Sequence, residues 1–207
     1  MFITFEGLDF CGKSTQVKLL KEYLENKNEK VLVIREPGGT DISESIRSIL
    51  LDKKNTGMCD ETELLLFSAS RAQLVKEKIL PALEKNIWVI SDRFHDSTIA
   101  YQSYGRGLPG DFVEKLQSFV IGQAVPALTF FIDLPVEEVF RRMSIVKKHE
   151  LDRIETSQRE FYENVRKGYL QLSQKEKRFR KIDGMLTIEE IHKVIIEEIE
   201  KKIRVEA

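Results

Sequence analysis

The feature that most constrains the fold is the segment Gly7–Ser14, GLDFCGKS, which fits the pattern G-x-x-x-x-G-K-[ST]. The residues before it, FITFE, have the apolar character of a buried strand, and the residues after it, KSTQVKLLKEYL, have the periodicity of a helix. In such a strand–loop–helix unit the backbone N–H groups close around phosphate oxygens, and the helix N-terminus adds a partial positive charge. The segment therefore predicts a loop that binds a nucleoside triphosphate.

The residue types of this loop predict its contacts. Lys13 is expected to reach the β- and γ-phosphates, and Ser14 is expected to bind Mg²⁺ through its hydroxyl group. The predicted nucleotide-binding residues, which the family resemblance given below assigns to ATP, are Gly7, Leu8, Asp9, Phe10, Cys11, Gly12, Lys13, Ser14 and Thr15. The loop does not by itself distinguish a kinase from a GTPase or a motor ATPase.

Short apolar runs alternate with longer amphipathic runs along the chain. The strand candidates are nearly continuous in apolar character, as in a sheet covered on both faces; they are Phe2–Phe5, Val31–Ile34, Ile87–Ile90, Leu128–Ile132 and a fifth near Arg180–Ile182. The helix candidates are Lys13–Asn26, Ile42–Leu51, Glu61–Glu84, Asp111–Gly122, Val136–Val146, Glu155–Lys175 and Ile188–Lys202. The alternation predicts one three-layer α/β domain over residues 1–207, with a central five-stranded parallel sheet flanked by helices.

The composition argues against several function classes. Lys plus Arg number 33 and Asp plus Glu number 34, whereas a dedicated nucleic-acid-binding protein usually has a basic excess. The two cysteines, Cys11 and Cys59, form no CxxC pair, so neither a zinc site nor a disulfide scaffold is expected. No apolar run approaches the ~20 residues of a membrane span, and the N-terminus lacks a signal-peptide pattern. We therefore expect a cytoplasmic protein that binds neither nucleic acid nor a membrane.

A guanine-specific site is not predicted. Such a site would need an NKxD motif after a strand, and the nearest string, Asn26–Glu29, ends in Glu and lies between a predicted helix and strand. Large motor ATPases need more than the 207 residues of this chain. The remaining interpretation of the phosphate loop is an enzyme that phosphorylates a small molecule.

Two further segments carry candidate acceptor residues. Arg35 follows the second predicted strand, and loops at the carboxyl ends of parallel strands face the ligand crevice, so Arg35 could bind an acceptor phosphate. The alternative is an ordinary solvated arginine. Pro37 with two following glycines predicts a sharp turn. Phe67 and Arg71 share one helix face, so that a ring could stack on a base while a guanidinium donates to it; a core Phe beside a surface Arg is the alternative.

Asp92 and Arg93 follow the predicted strand IWVIS. An Asp at such a strand end can hold Mg²⁺ directly or through water, and the planar guanidinium of Arg93 suits phosphate oxygens. Short polar groups and one ring come next, suited to contacting a base edge and a sugar; they are Ser97, Thr98, Tyr101 and Gln102.

Taken together, these segments resemble the thymidylate kinase family of P-loop nucleoside-monophosphate kinases. The resemblance covers almost the whole chain and rests, in order, on FEGLD…GKSTQ, REPGGT, LLLFSASR, DRF, AYQ-x-x-GRG, FIDLP and LDRIE. It implies a P-loop kinase fold and the Mg²⁺-assisted phosphorylation of dTMP to dTDP with ATP as co-substrate. It also implies a homodimer.

The resemblance assigns roles to individual residues. The implied substrate-binding set is Asp9, Arg35, Phe67, Arg71, Arg93, Ser97, Thr98, Tyr101 and Gln102. Within it, Arg35 and Arg93 would bind the dTMP phosphate. Phe67 would stack on thymine, Arg71 would hydrogen-bond a thymine carbonyl, and Asp9 would contact the sugar 3′-hydroxyl.

The remaining implied roles concern the sugar, the base edge and the chemistry. Tyr101 would crowd the 2′ position and so favour deoxyribose, while Thr98 and Gln102 would lie at the thymine edge. The loop Asp183–Met185 resembles the one that packs on adenine. The implied catalytic residues are Lys13, Asp92, Arg93 and Arg153, and the implied metal ligands are Ser14 and Asp92.

Some members of the family carry an arginine in the phosphate loop, and this chain has Phe10 at that position. The other branch uses a basic lid over ATP, which corresponds here to a segment at about 141–155 containing the string LDRIE. The resemblance therefore assigns Arg153, with Lys147 or Lys148, as the cation that offsets charge in the transition state. A solvated helix end is the alternative reading of this charge run.

Two other functions remain open from the sequence. Another nucleoside-monophosphate kinase, or a deoxynucleoside kinase of the same fold, would share the phosphate loop and differ in the acceptor segments. A non-catalytic nucleotide-binding protein would be expected to lack Lys13, Asp92 or Arg93, all of which are present. A thymine methyl contributes only about 1–3 kcal/mol, so weak dUMP activity is expected beside dTMP activity.

Overall fold

The computed structural model describes residues 1–145, 151–155 and 157–206. At its centre is a parallel sheet of five strands in the order β2-β3-β1-β4-β5. The strands are β1 Phe2–Glu6, β2 Val31–Arg35, β3 Trp88–Asp92, β4 Leu128–Asp133 and β5 Phe179–Asp183. The predicted α/β fold with a central five-stranded parallel sheet is confirmed.

Helices surround this sheet. They are α1 Lys13–Asn26, α2 Asp41–Leu51, α3 Asp60–Leu74, α4 Leu80–Glu84, α5 His95–Thr98, α6 Gly110–Ile121, α7 Val136–Met143, α8 Arg159–Lys175 and α9 Ile188–Glu206. Two π-helical stretches, Val75–Ile79 and Ile99–Gly105, directly follow α3 and α5. Within the described ranges, no helix has the length and apolar character that crossing a membrane requires.

The predicted helix 61–84 is one run of α3, a π-helical stretch and α4. The π-helical stretch ends just before Pro81, which has no backbone N–H to continue the α-helical hydrogen bonds. The helical segment from His95 to Gly105 is absent from the prediction, because its sequence HDSTIAYQSYG has no amphipathic period. Its residues are instead held by buried contacts inside the domain.

The start of α8 also differs from the prediction, which places it at Glu155. The helix begins at Arg159 because a turn occupies the preceding residues. The Asp152 carboxylate accepts hydrogen bonds from the backbone N–H groups of Ile154 and Glu155, each at 2.8 Å. An Asp side chain that binds nearby backbone in this way competes with helix formation.

Both faces of the sheet are covered, which explains the continuous apolar character of its strands. Successive strand residues point to opposite faces. Phe2 packs on one side with Leu74 of α3, and Ile3 packs on the other side with Leu20 of α1 and Ile195 of α9. Full burial of such side chains stabilises the fold by about 1.5–3 kcal/mol each. The loops at the carboxyl ends of the strands are therefore attached to a well-packed sheet.

The strand register brings three loops to one place. Phe5 of β1 pairs with Asp92 of β3, and Asp92 pairs with Arg35 of β2. The loops that follow these strands therefore lie side by side at the carboxyl edge of the sheet, where ligands bind in open α/β folds.

Candidate active site

The loop between β1 and α1 has the backbone that its glycines predict. Gly7 and Gly12 have φ angles of 140° and 97°, which side chains of L-residues rarely allow. A Cβ atom at Gly7 would also lie 2.6 Å from the carbonyl oxygen of Ile132 in β4. The close passage of the loop against β4 therefore requires glycine at this position.

Lys13 is buried and lies against the inside of this loop. Its ammonium group donates to the carbonyl oxygens of Leu8 at 2.7 Å and Gly7 at 3.1 Å, and Nζ lies 3.6 Å from the Cys11 sulfur. The side chain stands at the first residue of α1, where the helix end also contributes positive potential. The loop thus concentrates positive charge where phosphates are expected.

The fold brings together Ser14, in the first turn of α1, and Asp92, the last residue of β3. The Ser14 hydroxyl donates to Asp92 Oδ2 at 2.6 Å. Both are hard oxygen groups of the kind that Mg²⁺ prefers, and Mg²⁺ usually takes one or two protein ligands beside phosphates and waters. Among the described residues there is no group of three or more His, Cys, Asp or Glu side chains that could hold a metal. The donor set fits Mg²⁺ bound together with a nucleotide.

A cavity of about 310 Å³ joins the phosphate loop to the acceptor segments. The predicted site residues that line it are Asp9, Phe10, Lys13, Ser14, Arg35, Phe67, Arg71, Asp92, Arg93, Ser97, Thr98, Tyr101 and Gln102. Of the predicted loop residues, those absent from its wall are Gly7, Leu8, Cys11, Gly12 and Thr15. The structure therefore gathers most of the predicted set into one space.

Arg93 lines the cavity and contacts the phosphate loop. Its guanidinium donates to Asp9 Oδ1 at 2.5 Å and to the Gly7 carbonyl oxygen at 2.8 Å. The Asp9 carboxylate also accepts a hydrogen bond from the Tyr101 hydroxyl at 3.1 Å. Burial raises the pKa of Asp9, but the positive charges of Arg93 and Lys13 outweigh it, so the pKa is lowered. Asp9 is therefore an anion that holds Arg93 against the loop.

A buried carboxylate behind Arg93 was not predicted from the sequence. Glu6, at the end of β1, accepts hydrogen bonds from the hydroxyls of Ser97 at 2.6 Å and Tyr169 at 2.9 Å. Both hydroxyls also accept from Arg93, each at 3.2 Å. Burial, with a smaller contribution from the charge of Asp96, raises the pKa of Glu6 to about 7. The sequence signal that could have indicated Glu6 is an acidic residue at the end of an otherwise apolar strand, FITFE.

Arg71 has a protein partner on every guanidinium nitrogen. Nε donates to Glu36 Oε2 at 2.7 Å, and Nη1 donates to Thr98 Oγ1 at 2.8 Å and Gln117 Oε1 at 2.6 Å. Nη2 donates to the Phe94 carbonyl oxygen at 3.1 Å. The side chain is only 1% exposed, although it lines the cavity. Its direct hydrogen bond to a base carbonyl stays a prediction, and it would require one of these contacts to be exchanged.

Glu36 is a second cavity residue that the sequence analysis missed. It is buried, and its Oε1 has no hydrogen-bond partner in the described structure. Burial raises its pKa, although the charge and hydrogen bond of Arg71 oppose that effect. The sequence signal that could have indicated Glu36 is its position between Arg35 and Pro37 in the REPGGT string.

Arg35 has a neighbouring cation that was also missed. Arg35 is half-exposed and contacts Glu44 at 3.2 Å and the Pro37 carbonyl oxygen at 3.1 Å. Arg47, on α2, donates to the same carbonyl oxygen at 2.8 Å and lines the cavity. Burial, and then the charge of Arg35, lower the pKa of Arg47. The sharp turn predicted at Pro37 is present, with a cis Glu36–Pro37 peptide bond.

The segment that contains the LDRIE string contributes to the cavity wall. Asp152, Ile154 and Glu155 are part of the cavity wall. Burial raises the pKa of both carboxyl groups, Asp152 and Glu155. The sequence analysis named only the arginine of this string, although the same string contains both acids.

Arg153 has described hydrogen bonds to groups outside the phosphate loop. Its Nε donates to the Leu50 carbonyl oxygen at 2.9 Å and its Nη2 to Glu63 Oε2 at 2.6 Å, and Arg153 is not part of the cavity wall. The buried Glu63 carboxylate binds the guanidinium. The geometry thus gives no support to Arg153 as the transition-state cation. The other candidates, Lys147 and Lys148, lie outside the described residues.

A different cation of the predicted lid region contacts the phosphate loop. Arg142, near the end of α7, donates from Nη1 to the Phe10 carbonyl oxygen at 3.0 Å. Its Nη2 lies 3.5 Å from the Gly184 carbonyl oxygen, and its Nε donates to Glu138 at 2.7 Å. Arg142 therefore joins the phosphate loop to the loop after β5.

The order of these parts along the chain matches a described family. Residues 5–195 match the family model for thymidylate kinase. The chain belongs to the thymidylate kinase family.

Thymidylate kinases from several bacteria are similar to it over nearly their whole length. The chain is 50% identical to that of Kosmotoga olearia over 199 residues, covering 96% of this chain and 94% of the relative. It is 46% identical to that of Thermoanaerobacter sp. strain X514 over 201 residues, covering 97% of each. The crystal structure of thymidylate kinase from Ehrlichia chaffeensis is similar at a TM-score of 0.78 and 37% identity, covering 97% of this chain and 98% of that one.

The family's activity is the one predicted from the sequence, and that prediction is confirmed. Thymidylate kinases phosphorylate dTMP to dTDP with ATP. The predicted three-layer P-loop kinase fold is confirmed by the same structural similarity.

Proposed function

We propose that dTMP lies in the cavity with its base against Phe67 and its phosphate beside Arg93. The γ-phosphoryl group of ATP is then transferred to the dTMP phosphate in the space between the Lys13 and Arg93 side chains. The observation that carries this proposal is the placement of Arg93. It contacts both Asp9 and the Gly7 carbonyl of the phosphate loop while lining the cavity. One fixed cation therefore stands next to the donor and acceptor phosphates.

The transfer needs alignment and charge neutralisation rather than a base. A phosphate monoester has a second pKa near ~6, so dTMP is largely the dianion at neutral pH. One of its oxygens forms the new bond to the γ-phosphorus, the bond to the bridging oxygen breaks, and ADP leaves with that electron pair. Lys13 and Arg93 offset the negative charge that gathers during this exchange.

We also propose Ser14 and Asp92 as the residues that hold Mg²⁺. Their hydroxyl and carboxylate oxygens, 2.6 Å apart, suit this cation. Bound there with ATP, Mg²⁺ would supply further neutralisation of phosphate charge. The adenine would lie toward Gly184, where Arg142 joins the phosphate loop to the loop after β5.

The proposed assembly is a homodimer of single-domain subunits in the cytoplasm. Helices α3 and α6 pack side by side and expose large apolar side chains. Phe112 and Phe119 are seven residues apart on α6 and so share one face; they are 56% and 85% exposed, and Leu65 on α3 is 54% exposed. A second copy of the chain is the proposed cover for this apolar face.

An ADP-release assay with Mg-ATP and a panel of dTMP, dUMP, UMP, CMP, AMP and GMP tests the assignment of the cavity. The expected result is a strong preference for dTMP, followed by weak activity on dUMP. A preference for another monophosphate would keep the phosphate-loop assignment and overturn the roles given to Phe67, Arg71 and Tyr101.

A further inference from the structure

The carboxylate of Glu63 joins the acceptor cavity to two arginines behind it. Glu63 lies on α3 and is 1% exposed. Its Oε1 accepts from Gln102 Nε2 at 2.9 Å and from Arg106 Nε at 3.1 Å. Its Oε2 accepts from Arg106 Nη2 at 3.1 Å and from Arg153 Nη2 at 2.6 Å. Gln102 lines the cavity, and Glu63 does not.

The ionisation state of Glu63 decides whether the NH₂ group or the oxygen of the Gln102 side-chain amide can face it. Burial raises the pKa of Glu63, but the hydrogen bonds and charge of Arg106, with the hydrogen bonds from Gln102 and Arg153, outweigh burial and lower the pKa. A carboxylate accepts hydrogen bonds and donates none. Gln102 can therefore meet it only with its NH₂ group. The reversed amide would place two acceptors, Gln102 Oε1 and Glu63 Oε1, against each other.

We infer that Glu63 fixes the orientation of the Gln102 amide, so that its oxygen faces the base and the enzyme selects thymine over cytosine. This inference rests on the proposed function, in which Gln102 lies at the thymine edge. Thymine carries an N–H donor at ring position 3, which Gln102 Oε1 accepts. Cytosine carries a lone pair at that position, so its complex would leave two acceptors facing each other, which is costly in a buried site.

Neither Gln102 alone nor its neighbour Thr98 supplies this selection. An amide that is free to turn by 180° offers its NH₂ group as readily as its oxygen, so it would pair with either pyrimidine. The Thr98 hydroxyl both donates and accepts, and its oxygen already accepts from Arg71 at 2.8 Å. Glu63 is therefore a positioning residue, because it acts on the base only through Gln102.

Glu63→Gln tests the inference, with kcat/KM measured for dTMP, dCMP and dUMP. The new amide both donates and accepts, so Gln102 gains the reversed orientation. We expect the dTMP:dCMP ratio of kcat/KM to fall by about tenfold or more. The dTMP:dUMP ratio should stay within about twofold, because uracil has the same N–H group and differs only by the methyl. A general loss of packing would not separate the two ratios in this way.

Arg106→Lys is the matched control. It disturbs the same buried ion pair but keeps a positive charge beside Glu63, so the carboxylate stays ionised and the dTMP:dCMP ratio should hold. Should Glu63→Gln fail to fold because two arginines have lost their carboxylate, the double variant Glu63→Gln/Arg106→Gln removes one charge of each sign and carries the same expectation.

The outcomes separate the inference from the function on which it rests. A fall in the dTMP:dCMP ratio alone supports it. An unchanged dTMP:dCMP ratio, or an equal fall in both ratios, overturns it. A wild-type enzyme that already used dCMP as well as dTMP would overturn the role of Gln102 in the proposed function, and the inference with it, before any substitution is made.

Discussion

Arg93 Nη2 and Asp9 Oδ1 lie 2.5 Å apart, so a single ion pair ties the end of β3 to the phosphate loop. The two side chains are only 16% and 18% exposed, and solvent therefore screens their attraction weakly. The Arg93 backbone has a φ of 70°, a left-handed conformation that starts the turn into α5. The position of this guanidinium, and so the contact that we propose with the dTMP phosphate, depends on Asp9.

Phe67→Ala is expected to raise the KM for dTMP by about 5- to 150-fold, because stacking of a base on an aromatic ring contributes about 1–3 kcal/mol. The KM for ATP should change little, since the proposed ATP site is at the other end of the cavity. Initial rates over a matrix of both substrates measure the two constants. Phe67→Leu, which keeps an apolar side chain without the ring, should fall between wild type and Ala. An equal rise in both KM values would contradict the stacking role.

Asp92→Asn is expected to raise the Mg²⁺ concentration that gives the half-maximal rate, because a neutral amide oxygen binds the cation more weakly than a carboxylate. The measurement is a Mg²⁺ titration at saturating ATP and dTMP. Asp41→Asn, at the start of α2, removes an exposed acid of the same kind and should leave the titration midpoint unchanged. A wild-type midpoint for Asp92→Asn would remove this residue from the metal site.

Local sequence was sufficient to predict the phosphate loop, because the strand, the glycines and the helix are consecutive. The same holds for the sheet, whose strands are short and apolar. Glu6, Glu36 and Arg47 were missed for the opposite reason. Their importance comes from partners that the fold supplies, such as Tyr169 for Glu6 and Arg71 for Glu36.

The assignment of Arg153 shows that a local sequence motif does not reveal the tertiary partners of its side chains. The string LDRIE located a segment with three residues in the cavity wall, which are Asp152, Ile154 and Glu155. It could not reveal that a carboxylate about ninety positions earlier in the chain, Glu63, is buried nearby and binds the guanidinium. The lid role of this segment stays a prediction, and the tertiary ion pair with Glu63 decides where the Arg153 side chain points.

His95 should make stability depend on pH. Burial lowers its pKa from 6.5 to about 4, so the unfolded chain binds a proton between those values and the folded protein does not. Stability that is present above pH 6.5 is therefore lost as the pH falls toward 4, by a total on the order of 3 kcal/mol. Urea unfolding of wild type and His95→Gln at a series of pH values measures this. The stability advantage of wild type should shrink on acidification, and a constant difference would contradict it.

Phe119→Glu is expected to shift the protein toward monomer by placing a charge at the centre of the proposed interface. Sedimentation velocity at several concentrations measures the assembly state. Ile203→Glu, on α9, changes another exposed apolar residue outside this face and should leave the assembly unchanged. A wild type that is monomeric at all concentrations would overturn the homodimer.

The central claim is that Arg93 stabilises the transfer between the two phosphates, and the most direct measurement is kcat for Arg93→Ala at saturating ATP and dTMP. Loss of a fixed donor to transition-state charge costs about 10²–10³-fold in kcat, and we expect a fall of that order with a far-UV circular dichroism spectrum like that of wild type. Arg204→Ala, which removes a largely exposed arginine on α9, should keep wild-type turnover. Wild-type kcat in Arg93→Ala would contradict the account.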